Sequence, residues 1–200
     1  MLKIALFGTS ADPPTAGHQA IISWLSQHYD WVAVWAADNP FKSHASPLEH
    51  RATMLRLLIE DINPPRHNIG LHQELSSHRT LETVNKAKQR WDKDATFTLV
   101  IGSDLVHQLQ QWYAVEELLQ QVQLLVVPRP GYEVAESDLQ QLRQLGAKFA
   151  IANLTAPDVS STAYRESGDS EALTPPVEAY IHQQHLYECQ HAAKEKLPTR

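Results

Sequence analysis

The stretch that decides the fold runs from Leu2 to His18, LKIALFGTSADPPTAGH. Leu2 to Phe7 is a short apolar run with β-branched and aromatic members, and Gly8 closes it, so it reads as a buried strand. Gly8, having no side chain, permits close approach of a ligand, Pro13-Pro14 stiffens the adjoining loop, and Gly17 lets the chain bend into the next element. That element reads as a helix from His18 to Tyr29, with Ala20, Ile21, Trp24 and Leu25 at helical spacing and Gln19, Ser23 and Gln27 on other faces. A strand, a glycine-bearing loop and a helix start direct unpaired N–H groups and the positive end of a helix dipole into one space. Thr15 and His18 project there with groups able to donate to phosphate oxygens. A phosphate site and an ordinary strand–loop–helix opening both fit these residues.

The bulk properties narrow the choices. A chain of 200 residues suits one domain, placed at residues 1–190 with a polar tail over 191–200. Hydrophobic content of 42% and charged content of 20% describe an ordinary globular protein. A formal charge of −6 argues against broad electrostatic binding to nucleic acid or an anionic membrane face. No apolar run approaches the ~18 residues of a membrane span, and the N-terminus lacks a basic start, apolar core and cleavage site, which points to the cytoplasm. The single cysteine, Cys189, cannot form an internal disulfide, and no Cys/His set has structural-zinc spacing. His182 and His185 read as surface histidines of a polar C-terminal helix.

Beyond the first helix, strands and helices alternate. Strands are expected at Trp31–Ala37, Asn68–His72, Ala95–Ile101, Gln123–Val127 and Lys148–Ile151. Helices are expected from a cap at Ser46 to about Asp61, from Thr80 to Trp91, from a capping box at Ser137 to Leu145, and from Pro176 to about Glu188. This alternation predicts an α/β fold: a Rossmann-like, doubly wound parallel sheet of five to six strands in three layers. Ligands in such folds collect beyond the carboxyl ends of the strands, which draws attention to the residues just past each strand. Lys42, after the second strand, fits a phosphate contact or a solvated loop lysine. Asp104, after Gly102-Ser103, fits a partner for ribose hydroxyls or a hydrated metal, or a plain N-cap. Trp112 fits a stacking platform or the core. Arg129 fits an anion contact or an ordinary surface arginine. Ser160-Ser161-Thr162, with Arg165 one turn along, fits a binding site for a triphosphate tail or a set of caps. Arg51 reads as a solvated or structural arginine.

Taken together these segments identify a resemblance. Thr15-Ala16-Gly17-His18 is similar to the first motif of the nucleotidylyltransferase superfamily, His or Thr, any residue, then Gly-His. Asp12-Pro13-Pro14, Asn39-Pro40-Phe41-Lys42, Thr80 and Thr83, Gly102-x-Asp104 with Trp112, Arg129-x-Gly131-Tyr132 and Val159-Ser160-Ser161-Thr162-x-x-Arg165 resemble, in order, the motifs of the nicotinate (nicotinamide) mononucleotide adenylyltransferases. Four positions depart from that pattern: Thr9 stands where glycine is common, Ala11 where an aromatic is common, Thr15 where the first histidine is commoner, and Arg79 where a tyrosine is usual. Neither a Walker A segment nor Gly-x-Gly-x-x-Gly is present.

The resemblance implies adenylyl transfer from ATP to a pyridine mononucleotide in NAD biosynthesis. In this reading His18, Thr15, Lys42 and Arg165 carry the catalysis, and Gly8, Thr9, Gly102, Asp104, Ser160, Ser161 and Thr162 join His18 and Arg165 in binding ATP. Lys42, Thr80, Trp112 and Arg129 bind the mononucleotide. Mg²⁺ enters with ATP, held mostly by phosphates and water, so no protein metal ligand is assigned. The partners implied are the two small-molecule substrates, with no nucleic acid and no membrane, and a homo-oligomer is compatible with the sequence. Two alternatives stand beside this reading: a pantetheine-phosphate adenylyltransferase, which favours Thr in the first motif, and a non-catalytic nucleotide sensor, supported by Thr9 and Ala11.

Overall fold

The computed structural model describes residues 1–38, 43–92 and 94–188. Lys42, Cys189 and the expected tail lie outside the described residues. Six strands, β1 (Lys3–Thr9), β2 (Trp31–Ala36), β3 (Ile69–Leu71), β4 (Thr96–Gly102), β5 (Gln123–Val127) and β6 (Phe149–Ile151), form one sheet in the order β3-β2-β1-β4-β5-β6. Every neighbouring pair is parallel. The helices are α1 (Ala16–His28), α2 (Leu48–Glu60), α3 (Thr80–Arg90), α4 (Val115–Gln121), α5 (Glu136–Gln144), α6 (Ser161–Ser167) and α7 (Pro175–Gln183), with short 3₁₀ turns at Gln73–Leu75, Ser103–Gln111 and Ser170–Ala172.

The strands read as nearly continuous apolar runs because both faces of the sheet are covered. Ala5, Phe7, Val32 and Val34 point to one side, where they pack with Ile22 and Leu25 of α1, Met54, Leu55 and Leu58 of α2 and Val177 and Ile181 of α7. Ile4, Leu6, Ala33 and Trp35 point to the other, where Leu81 and Val84 of α3, Leu118 and Leu119 of α4 and Leu142 of α5 meet them. This is the doubly wound three-layer architecture expected from the sequence. The strand order reverses direction between β1 and β4, so the loops leaving these two strands diverge and open a crevice at their carboxyl ends.

Several boundaries differ from the sequence reading, each for a local reason. β1 continues through Gly8 to Thr9, which pairs with Ala36, so Gly8 lies within the strand. A Cβ on Gly8 would stand 2.5 Å from Trp35 Cε2: the indole fills the space that the sequence reading left to a ligand. α1 starts at Ala16, which puts Gly17 inside the helix, buried, with Val159 Cγ2 at 3.5 Å from the position of its missing Cβ. Ser46 does not cap α2; its carbonyl instead accepts a hydrogen bond from Arg51 Nε. The box expected at Ser137 does not form; α5 begins earlier, and only the reverse contact is made, the Asp138 carboxylate accepting the N–H of Ala135. Gly102-Ser103-Asp104 opens a 3₁₀ run instead of an α-helix. α7 stops at Gln183, and His185 (φ 52°) and Tyr187 (φ 67°) turn the chain through left-handed conformations.

Candidate active site

His18 is the third residue of α1, and its ring is fixed from behind. The Thr15 N–H donates to His18 Nδ1 at 3.0 Å, and Thr15 Oγ1 lies 2.9 Å from the same nitrogen. A nitrogen that accepts from a backbone N–H carries a lone pair, so the ring proton of the neutral imidazole resides on Nε2, leaving that edge as a donor. Burial lowers the His18 pKa to about 4, and the positive charge of Arg129 pushes the same way. His18 is therefore neutral at pH 7, a hydrogen-bond donor that does not need to be charged. Thr15 was expected to face phosphate; it is 1% exposed and its hydroxyl addresses His18, so it acts on the site through the orientation of that ring.

Arg129 and Asp104 were assigned to different ligands, and the structure brings them together. Arg129 Nη1 lies 2.9 Å from Asp104 Oδ2, and the Arg129 N–H donates to Ser103 Oγ at 2.9 Å. The pair folds back over Gly102, where an added Cβ would meet Asp104 Oδ1 at 2.3 Å and Arg129 Cδ at 2.9 Å. Gly102 thus serves the close packing of an ion pair. Asp104 Oδ1 is buried and, among the described residues, has no hydrogen-bond partner.

The loop carrying His18 is tied to the far end of the chain. Arg165 Nη1 donates to the Asp12 carbonyl at 2.5 Å and Nη2 lies 3.3 Å from Thr162 Oγ1. Ser161 Oγ donates to the Pro13 carbonyl at 2.7 Å, and Ser160 Oγ accepts the Ala163 N–H at 3.0 Å as the cap of α6. Each hydroxyl of the Ser-Ser-Thr run thus has a protein partner: cap, staple to the first loop, and neighbour of the guanidinium. Of the four residues expected to carry the catalysis, His18, Thr15 and Arg165 gather at this loop, and Lys42 lies outside the described residues.

Thr80 opens α3, while Thr83 is buried with its hydroxyl donating to the Leu75 carbonyl at 2.9 Å. Trp112 is partly buried against the cluster of α3, α4 and α5. Beside it Tyr113 is 57% exposed, with the Arg79 guanidinium 4.1 Å over its ring. Thr9 is half-buried at the end of β1, its carbonyl accepting the Ala37 N–H at 2.7 Å.

Sequence reasoning missed the frame around the first loop. Arg51 is 1% exposed; its Nη1 donates to the carbonyls of Ser10 and Ala37, both at 2.8 Å, and its Nη2 lies 3.6 Å from Asp38 Oδ1. It joins the loop after β1, the loop after β2 and the entrance of α2. The signal was present: buried residues 51, 54, 55 and 58 make one helical stripe, so this arginine occupies an apolar face. Asp12, 3% exposed, accepts the Ala45 N–H at 2.6 Å and the Tyr187 hydroxyl at 2.7 Å, and no periodicity marks either partner.

The arrangement offers a fixed neutral donor, two guanidinium groups and one carboxylate around a parallel-sheet switch point, which suits an anionic substrate undergoing displacement at phosphorus. Residues 6–167 match the cytidylyltransferase-like family. The chain belongs to that family. Among cytidylyltransferase-like proteins, it is 46% identical over 198 residues to a probable nicotinate-nucleotide adenylyltransferase of Synechocystis sp., covering 93% of this chain and 99% of the relative. It is 30% identical over 200 residues to the nicotinate-nucleotide adenylyltransferase of Bacillus subtilis, covering 94% and 100%. The fold superposes on the Plasmodium falciparum nicotinic acid mononucleotide adenylyltransferase complexed with NaAD with a TM-score of 0.80, at 22% identity and covering 94% of this chain and 98% of that one. The family match takes in His18, Asp104, Arg129 and Arg165 and stops before α7.

Proposed function

We propose that this cytidylyltransferase-like chain is an adenylyltransferase that joins ATP and nicotinate mononucleotide, or its amide relative, to give the dinucleotide and pyrophosphate. Two full-length relatives that bear the name nicotinate-nucleotide adenylyltransferase support the substrate pair. The observation that carries the chemistry is the orientation of His18, whose Nδ1 is held by Thr15 so that the Nε2–H edge is left for substrate.

A phosphate oxygen of the mononucleotide attacks the α-phosphorus of ATP; the new P–O bond forms as the bond to the β-phosphate oxygen breaks, and the electron pair leaves with pyrophosphate. No protein nucleophile is needed, so the site works by positioning and charge stabilisation. His18 donates from Nε2 to the phosphate oxygens on which charge builds. Arg165, held against the first loop, receives the leaving pyrophosphate, with Thr162 at its side. Arg129, paired with Asp104, adds positive charge on the β4–β5 side, and Lys42, which follows β2 in the sequence, adds a further positive charge. Trp112 and Thr80 border the mononucleotide side, where a large π face suits an electron-poor pyridine ring.

Mg²⁺ would arrive with ATP and neutralise phosphate charge. Among the described residues no three His, Cys, Asp or Glu side chains converge, and Asp104 is a carboxylate at the end of β4, paired with Arg129. That donor set fits an ion held by phosphates and water, with Asp104 the residue able to touch its hydration shell. Among the described residues no helix is long and apolar enough to cross a membrane, in keeping with a cytoplasmic enzyme of small soluble substrates.

Incubation with Mg-ATP and, separately, nicotinate mononucleotide, nicotinamide mononucleotide and phosphopantetheine tests this function. Dinucleotide and equimolar pyrophosphate with a pyridine mononucleotide are expected. Turnover with phosphopantetheine alone, or ATP binding by calorimetry with no product from any acceptor, would overturn it.

A further inference from the structure

Asp12 is buried at the centre of the loop between β1 and α1, and it faces two ways. Its carboxylate is satisfied by the Tyr187 hydroxyl on Oδ1 at 2.7 Å and by the Ala45 N–H on Oδ2 at 2.6 Å. Its carbonyl, on the same backbone, receives Arg165 Nη1. One residue therefore couples three segments remote in sequence: the chain after β2, the helix α6, and the segment beyond α7. Tyr187 comes from the last of these, outside every motif of the site. It is 7% exposed, its φ of 67° is one that bulky residues rarely adopt, and its ring meets Tyr164 of α6 edge-on at 6.0 Å. The chain thus leaves α7 by an unfavourable backbone route and delivers a phenol to the back of the catalytic loop.

We propose that Tyr187 is a positioning residue for the transfer reaction: by donating to Asp12 it holds the Asp12 carbonyl, and through it the Arg165 guanidinium, in place for the polyphosphate of ATP. Removing the hydroxyl strands a carboxylate oxygen in a buried site, and the ready relief is a shift of the loop or entry of water. Either movement displaces the carbonyl that fixes Arg165. The ring of a phenylalanine would still fill the space beside Tyr164, so the change reaches the ATP side of the site before it reaches the fold. The proposal rests on the ATP-dependent transfer reaction.

The test is steady-state kinetics of Tyr187→Phe with each substrate varied in turn, beside its thermal unfolding. A fall in kcat of roughly tenfold and a rise in KM for ATP of roughly fivefold are expected, the scale of one hydrogen bond to a charged group, with KM for the mononucleotide within about twofold of the starting protein. Partial unfolding would instead lower kcat and leave both KM values unchanged, and general loosening would raise both; either pattern overturns the proposal, as does unaltered kinetics. In an Asp12→Ala background, which leaves the phenol no carboxylate to hold, the same substitution is expected to cost less than about twofold more, and a full additional loss of roughly tenfold would also overturn it. Should Tyr187→Phe not fold, Asp12→Ala alone must show the ATP-selective rise, and its absence decides against the role. Wild-type protein that makes no dinucleotide contradicts the reaction itself, whereas active wild type with an unaffected Tyr187→Phe contradicts this role alone.

Discussion

At the scale of the residue, the proposed chemistry turns on the protonation of His18. An exposed histidine would be partly charged near neutrality, but burial and the neighbouring Arg129 hold this one at about 4. The folded state therefore refuses a proton that the unfolded chain accepts at its ordinary 6.5, so stability from this group is intact above 6.5 and is lost as pH falls from 6.5 towards 4. Proton NMR of the His18 ring should give a midpoint near 4, and kcat/KM should show no His18 inflection at 6.5; a midpoint at 6.5 would contradict the burial described. Thr15→Val removes the hydroxyl partner of Nδ1 but spares the backbone N–H, so a loss of about fivefold in kcat with little change in melting is expected, the size of one neutral hydrogen bond. Arg51 acts on architecture instead. Its replacement by Met would orphan the carbonyls of Ser10, Ala37 and Ser46 together, a cost of roughly 3 kcal/mol or more. Calorimetry should record a fall in Tm of roughly 10 °C, and a fall of only a degree or two would show these bonds to be dispensable.

At the scale of the element, glycines in strands serve packing at this crevice. Gly8 pairs with Trp35 across β1 and β2 and makes room for its indole; Gly8→Ala forces the ring aside and should cost about 1–3 kcal/mol of stability by chemical denaturation. Gly102→Ala is a different experiment, because the intruding methyl meets the Asp104–Arg129 pair and not the core. It should lower kcat/KM by roughly tenfold or more with the smaller effect on melting, and the reverse order would place Gly102 among the purely structural positions. These are also the places where sequence reading and structure part company. A glycine after an apolar run reads as punctuation, yet at Gly8 the strand runs on, since what demands glycine is the ring on the adjacent strand. Neither Ser46 nor Ser137 acts as a cap: the Ser46 carbonyl is taken by Arg51, and α5 begins before Ser137 with Asp138 reaching back to the Ala135 N–H.

At the scale of the whole molecule, the six strands and their flanking helices were legible because a parallel sheet covered on both faces leaves uninterrupted apolar runs separated by amphipathic helices. Segments after β1, β4, β5 and β6 were legible as site material because their motifs fall at strand ends. What single-sequence patterning could not give was pairing at a distance: Asp104 with Arg129, Asp12 with Tyr187, Arg51 with the loop after β1 and the connection from β2 to α2. These contacts unite residues up to 175 positions apart, and only the topology decides them. The result is a first loop held from several sides before any substrate arrives, which spares the reaction the cost of ordering it. In the proposed reaction His18, neutral and fixed by Thr15, stabilises charge on the reacting phosphates. The most direct measurement is the kcat of His18→Ala at pH 7 with saturating Mg-ATP and nicotinate mononucleotide: a loss of roughly 10²-fold or more in a folded protein is predicted, and turnover close to that of the unaltered enzyme would contradict it.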